Sequence, residues 1–196
     1  MSDRLLIYVF GGGGHGKVVA EAAIASHLFT VGGFLDDDAS RHGRLLMGLP
    51  IEGGLDAIAA DLGPIRVLIN NAARPSEGVA LETVADELWR QIIDTNLASC
   101  VYVGKRVATR MIAAGAGGSI VNIASINATV ISNIAPRHNV AYCTAKGGLA
   151  QLTKGMAAEW VGHGIRVNAL LPGYFLTAQT AASASINEVY QRNIAN

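Results

Sequence analysis

The sequence predicts an α/β protein: a doubly wound parallel sheet with helices on both faces, in three layers. Three observations predict it. Short apolar runs alternate with longer helical patterns, as βαβ units require. The 23 glycines against 5 prolines point to many tight strand–helix turns. The polar residues able to carry chemistry also fall just past the carboxyl ends of the predicted strands, where parallel sheets bind ligands. Gly11 follows the first strand, Asp36 the second, Asn70 the fourth, Ser125 the fifth and Pro172 the sixth.

Taken in order, Leu5 to Phe10 is an apolar run that leads straight into glycines and reads as a buried strand. Lys17 to His27 is the first helix. Thr30 to Leu35 is the second strand and ends in Asp36-Asp37-Asp38. The glycine-rich stretch from Met47 to Gly54 suggests a short third strand, Leu55 to Leu62 a helix, and Ile65 to Ile69 the next strand. Ala80 to Ala114 is long and helical, with two helices meeting or kinking near Asp94. Ser119 to Ala124 is rich in β-branched residues and predicts a strand. Asn139 to Gly162 is a helix and Ile165 to Leu170 the last clear strand. From Ala178 onward the residues are small, polar and weakly helical. No repeat and no linker interrupts the 196 residues, so a single domain is expected.

Composition excludes several functions. Lys+Arg and Asp+Glu are both 15, so no basic field is available to hold nucleic acid or an anionic membrane surface. No run approaches the eighteen or so apolar residues of a membrane span, and the first ten residues are too short for a signal segment. Cys100 and Cys143 lie in predicted helices without metal-ligand spacing. They read as reduced core thiols, in keeping with a cytoplasmic setting, and no metal site is expected.

The most informative residues are Tyr142-Cys-Thr-Ala-Lys146 and, seventeen residues upstream of Tyr142, Ser125. A tyrosine and a lysine four apart share one helix face. A phenol exchanges protons poorly at neutral pH unless a cation favours the phenolate, and Lys146 can supply that cation. Lowering the tyrosine by roughly three units takes about 4 kcal/mol of differential stabilisation, which one partly desolvated ammonium together with a cofactor's positive charge could supply. Ser125 would add a hydroxyl to hold the oxygen of a carbonyl or alcohol. The plain alternative for the pair is a solvated helix surface, and for Ser125 a turn cap.

The neighbours change that weighting. Asn70-Asn71-Ala72-Ala73 ends an apolar run, and Asp94-Thr95-Asn96-Leu97 lies in a helical stretch. Ile165-Arg166-Val167-Asn168-Ala169 and Pro172-Gly173-Tyr174-Phe175-Leu176-Thr177 follow. In this order the set closely resembles the short-chain dehydrogenase/reductase family over about residues 56 to 180. The resemblance implies a Rossmann-like fold and hydride transfer between a nicotinamide cofactor and a carbonyl or secondary alcohol. In it, Tyr142 is the general acid/base and Ser125 positions the carbonyl. Lys146 holds the nicotinamide ribose, and Asn96 anchors a water in a proton relay. Asn70, Ala72, Pro172, Gly173 and Thr177 flank the cofactor. It also implies a homodimer or homotetramer, since the helix carrying Leu149, Leu152, Met156 and Trp160 builds a subunit face in this family. The substrate side looks most like sugar-acid and polyol dehydrogenases.

The amino-terminal glycine loop departs from that family. Gly11, Gly13 and Gly16 satisfy G-x-G-x-x-G, opening a helix against which a phosphate can sit, and Asp36 follows twenty residues after Gly16. An acid there can accept hydrogen bonds from a ribose 2′-hydroxyl and favours NAD over NADP. The family's own spacing is absent, because position 18 is Val18 where a glycine would be needed. The stretch Gly11 to Glu21, with Val31 to Asp38 and Gly48 to Gly54, is instead similar to the nucleotide-sugar-binding domain of sialic-acid and bacillosamine-type sugar acetyltransferases. That likeness implies a UDP-sugar site lined by His15 and the glycines; the plain alternative for His15 is an inert residue at a helix start. The chain thus reads as a chimera with a seam near residues 52 to 62. It lacks the covering helix and last strand that the dehydrogenase resemblance implies after Thr177, and poor turnover is the expectation. A nucleotide-binding module and a folded, inactive chimera are the alternatives to an oxidoreductase.

Overall fold

The computed structural model describes residues 5–10, 14–36, 38–54, 64–74, 79–131 and 139–173. They fall in two compact units, Met1–Ile65 and Arg66–Asn196. The fold is of the Rossmann-like α/β kind, with parallel β-α-β units in both.

The first unit contains β1 (Leu5–Phe10), α1 (Gly14–Ala25) and β2 (Phe29–Leu35). β1 and β2 pair in parallel, from Leu5 opposite Phe29 to Phe10 opposite Leu35, and the register slips between Ile7 and Tyr8. Gly32 is the extra residue there. A Cβ on it would come within 2.6 Å of the Tyr8 ring, so only glycine lets that ring lie across the strand. Val9, Ala20, Val31, Phe34 and Ile51 form the core.

The short third strand expected in Met47 to Gly54 is instead an antiparallel hairpin, β3 (Leu45–Leu46) with β4 (Leu49–Pro50). Met47 and Gly48 both take positive φ, 56° and 75°, the signature of a tight primed hairpin turn. Just beyond it Ile51 makes one parallel bridge to Phe34. The helix expected over Leu55 to Leu62 lies outside the described residues.

The second unit holds a three-stranded parallel sheet in the order β5 (Val67–Asn70), β6 (Gly118–Ile123), β7 (Ile165–Leu170). Two helices, α2 (Asp86–Ile93) and α3 (Ser99–Ala113), join β5 to β6; α4 (Val140–Trp160) joins β6 to β7. The break expected near Asp94 is a π-helical turn, Asp94–Ala98. The helical stretch begins at Asp86 rather than Ala80, because Ala80, Val84 and Ala85 hold extended backbone around a 3-10 turn. α2 packs on α4 through Ile92, Ala141 and Ala145, with Leu88, Trp89, Ile93 and Leu97 around them. Close packing depends on small residues: a Cβ on Gly148 would sit 3.0 Å from Leu97, and one on Gly104 3.1 Å from Met156. Gly164, at φ 70°, turns the chain from α4 into β7. Among the described residues no helix is long and apolar enough to cross a membrane.

Candidate active site

The site is built where the strands of the second unit end. After β6 the chain stays extended through Ser125 (φ −169°, ψ 156°) and then tightens into a 3-10 turn, Ile126–Ala128. The Ala124 N–H donates to the Leu170 carbonyl at 2.8 Å and the Ile126 N–H to the Pro172 carbonyl at 3.0 Å. These two bonds clamp the segment carrying Ser125 to the end of β7. The turn packs against α4, where Gly147 leaves space beside the Ala128 carbonyl.

Tyr142 lies in the first turn of α4 and Lys146 one turn on. The structure brings Ser125 and Tyr142 together, with the serine hydroxyl near enough to favour the phenolate. The same hydroxyl accepts from the Asn127 N–H at 3.2 Å. Lys146 is only 2% exposed; its Nζ donates to the Ile123 carbonyl at 2.7 Å and lies 5.8 Å from the Tyr142 ring centroid. An ammonium carries three donors, so the site fits the ribose end of a nicotinamide dinucleotide, whose diol could take the remaining ones.

Without a dinucleotide in place, burial governs the charge states of the pair. Burial pushes the Tyr142 phenol above its ordinary value, and the Ser125 hydroxyl only partly opposes this. The Lys146 ammonium stands over the ring and bonds a carbonyl, and burial pushes it below the ordinary lysine value, opposed by neighbouring Cys100. Removal of water is the first cause of both shifts.

Asn96 is fully buried in the π-helical turn. Its Oδ1 accepts from the Arg74 N–H at 2.6 Å and its Nδ2 donates to the Arg74 carbonyl at 2.9 Å. The side-chain amide thus pairs with the segment after β5 as a neighbouring strand would. Wide π turns recur at functional sites because they re-aim one residue.

Asn70 has its side chain committed elsewhere. Its Nδ2 donates to Asn122 Oδ1 at 2.8 Å, Asn122 Nδ2 to Thr153 Oγ1 at 2.9 Å, and Thr153 Oγ1 to the Leu149 carbonyl at 2.7 Å. This buried ladder ties β5 and β6 to the helix carrying Tyr142 and Lys146. The sequence reading missed Asn122 and Thr153. The available signal was Asn122 at an inward position between Ile120 and Ala124. Thr153→Val should cost about 1–3 kcal/mol by leaving the Asn122 amide unpaired, whereas Thr153→Ser should cost far less; denaturant melts of both variants check this.

Ala72 is exposed and Pro172 half-buried. Gly173 has open space where a Cβ would be. In the first unit, Gly16 is buried in the first turn of α1, which also contains His15. Asp36 is already engaged: Oδ1 accepts from the Asp38 N–H at 3.0 Å, and Oδ2 accepts from Arg41 at 2.6 Å. His42 Nε2 also lies 2.6 Å from the Asp36 carbonyl. Gly11, Gly13 and Thr177 lie outside the described residues.

Comparison with known proteins bears on both halves. Residues 6–69 match the PglD N-terminal domain and residues 51–188 match the short chain dehydrogenase family. The matches overlap over residues 51–69, which includes the seam read from the sequence. A gluconate 5-dehydrogenase of Gluconobacter oxydans is 41% identical over 128 residues, covering 65% of this chain and 47% of the relative. A galactitol 2-dehydrogenase (L-tagatose-forming) of Cereibacter sphaeroides is 36% identical over 135 residues, covering 69% and 52%. The chain therefore spans about half the length of these curated relatives. Among solved structures, a gluconate 5-dehydrogenase from Burkholderia cenocepacia in complex with NADP and tartrate superposes with a TM-score of 0.73. It is 27% identical, over 93% of this chain and 75% of that one. A 4-hydroxyisoleucine dehydrogenase complexed with NADH gives 0.70 at 25% identity, over 93% and 81%. With its family match running over well more than half its residues, this chain belongs to the short chain dehydrogenases.

Proposed function

We propose that the chain is a nicotinamide-dependent oxidoreductase of polyols or sugar acids, with Tyr142 as its general acid/base. The observation that carries the reading is the approach of the Ser125 hydroxyl to the Tyr142 phenol at the strand ends, with the buried Lys146 ammonium one helical turn away. Ser125 holds the substrate oxygen and Tyr142 takes its proton during oxidation, or returns it during reduction. Lys146 orients the nicotinamide ribose, and Asn96 holds the segment after β5 while anchoring a relay water. The bound dinucleotide supplies the hydride acceptor or donor. Two buried thiols, Cys100 and Cys143, support a reducing, cytoplasmic setting, and a homodimer or homotetramer is proposed from the family likeness alone.

NAD is the proposed cofactor: in the first unit Gly11, Gly13 and Gly16 are the candidates for its phosphates and Asp36 for a ribose, and in the second unit Asn70, Ala72, Pro172, Gly173 and Thr177 are the candidates for contact with the cofactor. Because Arg41 already neutralises Asp36, the preference over NADP is expected to be modest, under about tenfold, at 1.4 kcal/mol per tenfold. Asp36→Ala should narrow it. A second reading has its own support, since the match of residues 6–69 to the PglD N-terminal domain favours a nucleotide-sugar site. Parallel titrations with NADH and a UDP-sugar separate the two. Binding of NADH with tenfold or weaker response to the UDP-sugar supports the oxidoreductase, and the reverse order overturns it.

A further inference from the structure

We propose that Thr153 is a positioning residue for the reaction: through Asn122 it sets the rotation of α4, and with it where Tyr142 and Lys146 stand. The proposal rests on the oxidoreductase reading and adds to it a residue eleven positions beyond Tyr142.

β6 is the fixed reference, since it pairs with β5 on one side and β7 on the other. α4 packs around it through apolar contact, with Ala141 and Ala145 against Ile92, and Leu149 against Cys100 and Ala124. Such burial is non-directional, and side chains as short as alanine do little to stop a helix turning about its axis. Small turns matter here. A side-chain tip roughly 5–6 Å from a helix axis moves about 1 Å for each 10° or so of rotation. A misplacement of about 1 Å can cost on the order of 10²-fold in rate.

Directional bonds supply what the apolar contacts do not. Lys146 Nζ donates to the Ile123 carbonyl at 2.7 Å, and one residue back on the same strand Asn122 Nδ2 donates to Thr153 Oγ1 at 2.9 Å. Lys146 and Thr153 are seven residues apart, roughly two turns along one helix face. The two links are not equivalent. Lys146 reaches its carbonyl at the tip of a flexible four-carbon stem, which can follow the helix as it turns. Thr153 is short and stiff at χ1, and its hydroxyl proton is committed to the Leu149 carbonyl at 2.7 Å. The hydroxyl therefore meets Asn122 as an acceptor. That fixes the direction of the Asn122 amide, whose oxygen accepts from Asn70 at 2.8 Å. All three side chains are buried, so the stiff link to the sheet is shielded from competing water.

The test compares Thr153→Val and Thr153→Ser with wild type, in the full chain and below the melting temperature of each. One readout is the Lys146 ammonium signal in proton–nitrogen NMR spectra of the cofactor-free protein, assigned by its loss in Lys146→Met. The other is steady-state oxidation of a polyol panel, galactitol included, with NAD. Valine keeps the shape and removes the acceptor. It should shift the Lys146 signal toward those of exposed lysines and lower kcat about 10–100-fold, and serine should restore both. A merely structural role would lower Tm alone, so an unmoved signal or an unchanged kcat in Thr153→Val overturns the proposal. Should Thr153→Val fail to fold, Thr153→Cys, whose sulfur accepts only weakly, takes its place with the same outcomes. If the wild type oxidises no polyol, the oxidoreductase reading falls and the Lys146 signal decides the placement alone. A shift that serine restores supports it, and a signal that stays put, or that serine fails to restore, overturns it.

Discussion

Replacing Tyr142 with phenylalanine should lower kcat for polyol oxidation by at least about 10²–10⁴-fold, the usual contribution of a positioned acid/base. Dinucleotide affinity should stay within about twofold. The phenol hydroxyl moves the proton but contributes little to ground-state binding, so the loss belongs in kcat. The pH profile should carry the same signature. Burial raises the phenol above its ordinary value, and kcat/KM reports groups of the free enzyme. Oxidation needs phenolate, so its kcat/KM should climb through the alkaline range toward and beyond about pH 10. Reduction needs the neutral phenol and should hold level until the same range, then fall. Steady-state rates from pH 6 to 10.5 check both directions. Undiminished turnover by the phenylalanine variant would remove Tyr142 from the chemistry.

Lys146→Met should abolish turnover and weaken dinucleotide binding, yet make the free protein more stable. The ammonium is almost wholly buried, has a single carbonyl acceptor at 2.7 Å, and is pushed toward its neutral form. A methionine of similar length would fill the same space without a charge to desolvate. The expected gain is about 1 kcal/mol, or roughly 2–4 °C in Tm for a chain of this size. The sign with pH follows from the depressed folded-state value. Between that value and the ordinary lysine value near 10.4, the unfolded chain binds more protons than the folded one, so wild-type stability from this group rises with pH. The gap between variant and wild type should therefore be widest at neutral pH and close as pH approaches about 10. Calorimetric scans at pH 7 and pH 9.5 measure it. A variant less stable than wild type at pH 7 would show that the bond to the Ile123 carbonyl outweighs the cost of burying the charge.

The parts of the site legible in the sequence are those set by local geometry. Four residues from Tyr142 to Lys146 make one helical turn, and a serine just past a β-branched strand falls at the sheet's ligand-binding end. The break near Asp94 was legible because Asp94, Thr95 and Asn96 set three poor helix formers side by side. What escaped depends on distant partners. Asn70, Asn122 and Thr153 come from two strands and a helix, and no local spacing joins them. The direction of the Tyr142 shift in the cofactor-free chain follows from desolvation, which the surrounding fold decides and no local spacing shows. The hairpin at Leu45 to Pro50 hid behind glycines that read as a loop around one strand. Asp36 looked free for a ribose, and Arg41, five residues on, had already claimed one of its oxygens.

The π-helical turn between α2 and α3 also governs what lengths of chain the fold can accept. Its hydrogen bonds span one residue more than those of an α-helix, so Asp94–Ala98 stores a single spare residue inside a buried helical run. Elsewhere in such a run, losing one residue would swing every later side chain off its contact face, taking Cys100, Val107 and Met111 out of the core. Here the loss would be absorbed, because the turn would relax to ordinary α geometry and both flanking faces would keep their phase. What would vanish is the outward step that brings Asn96 to the Arg74 backbone. A shortened descendant of this chain could therefore keep its fold and still leave the segment after β5 untethered, losing about 1–3 kcal/mol for the buried amide left unpaired and more in catalysis.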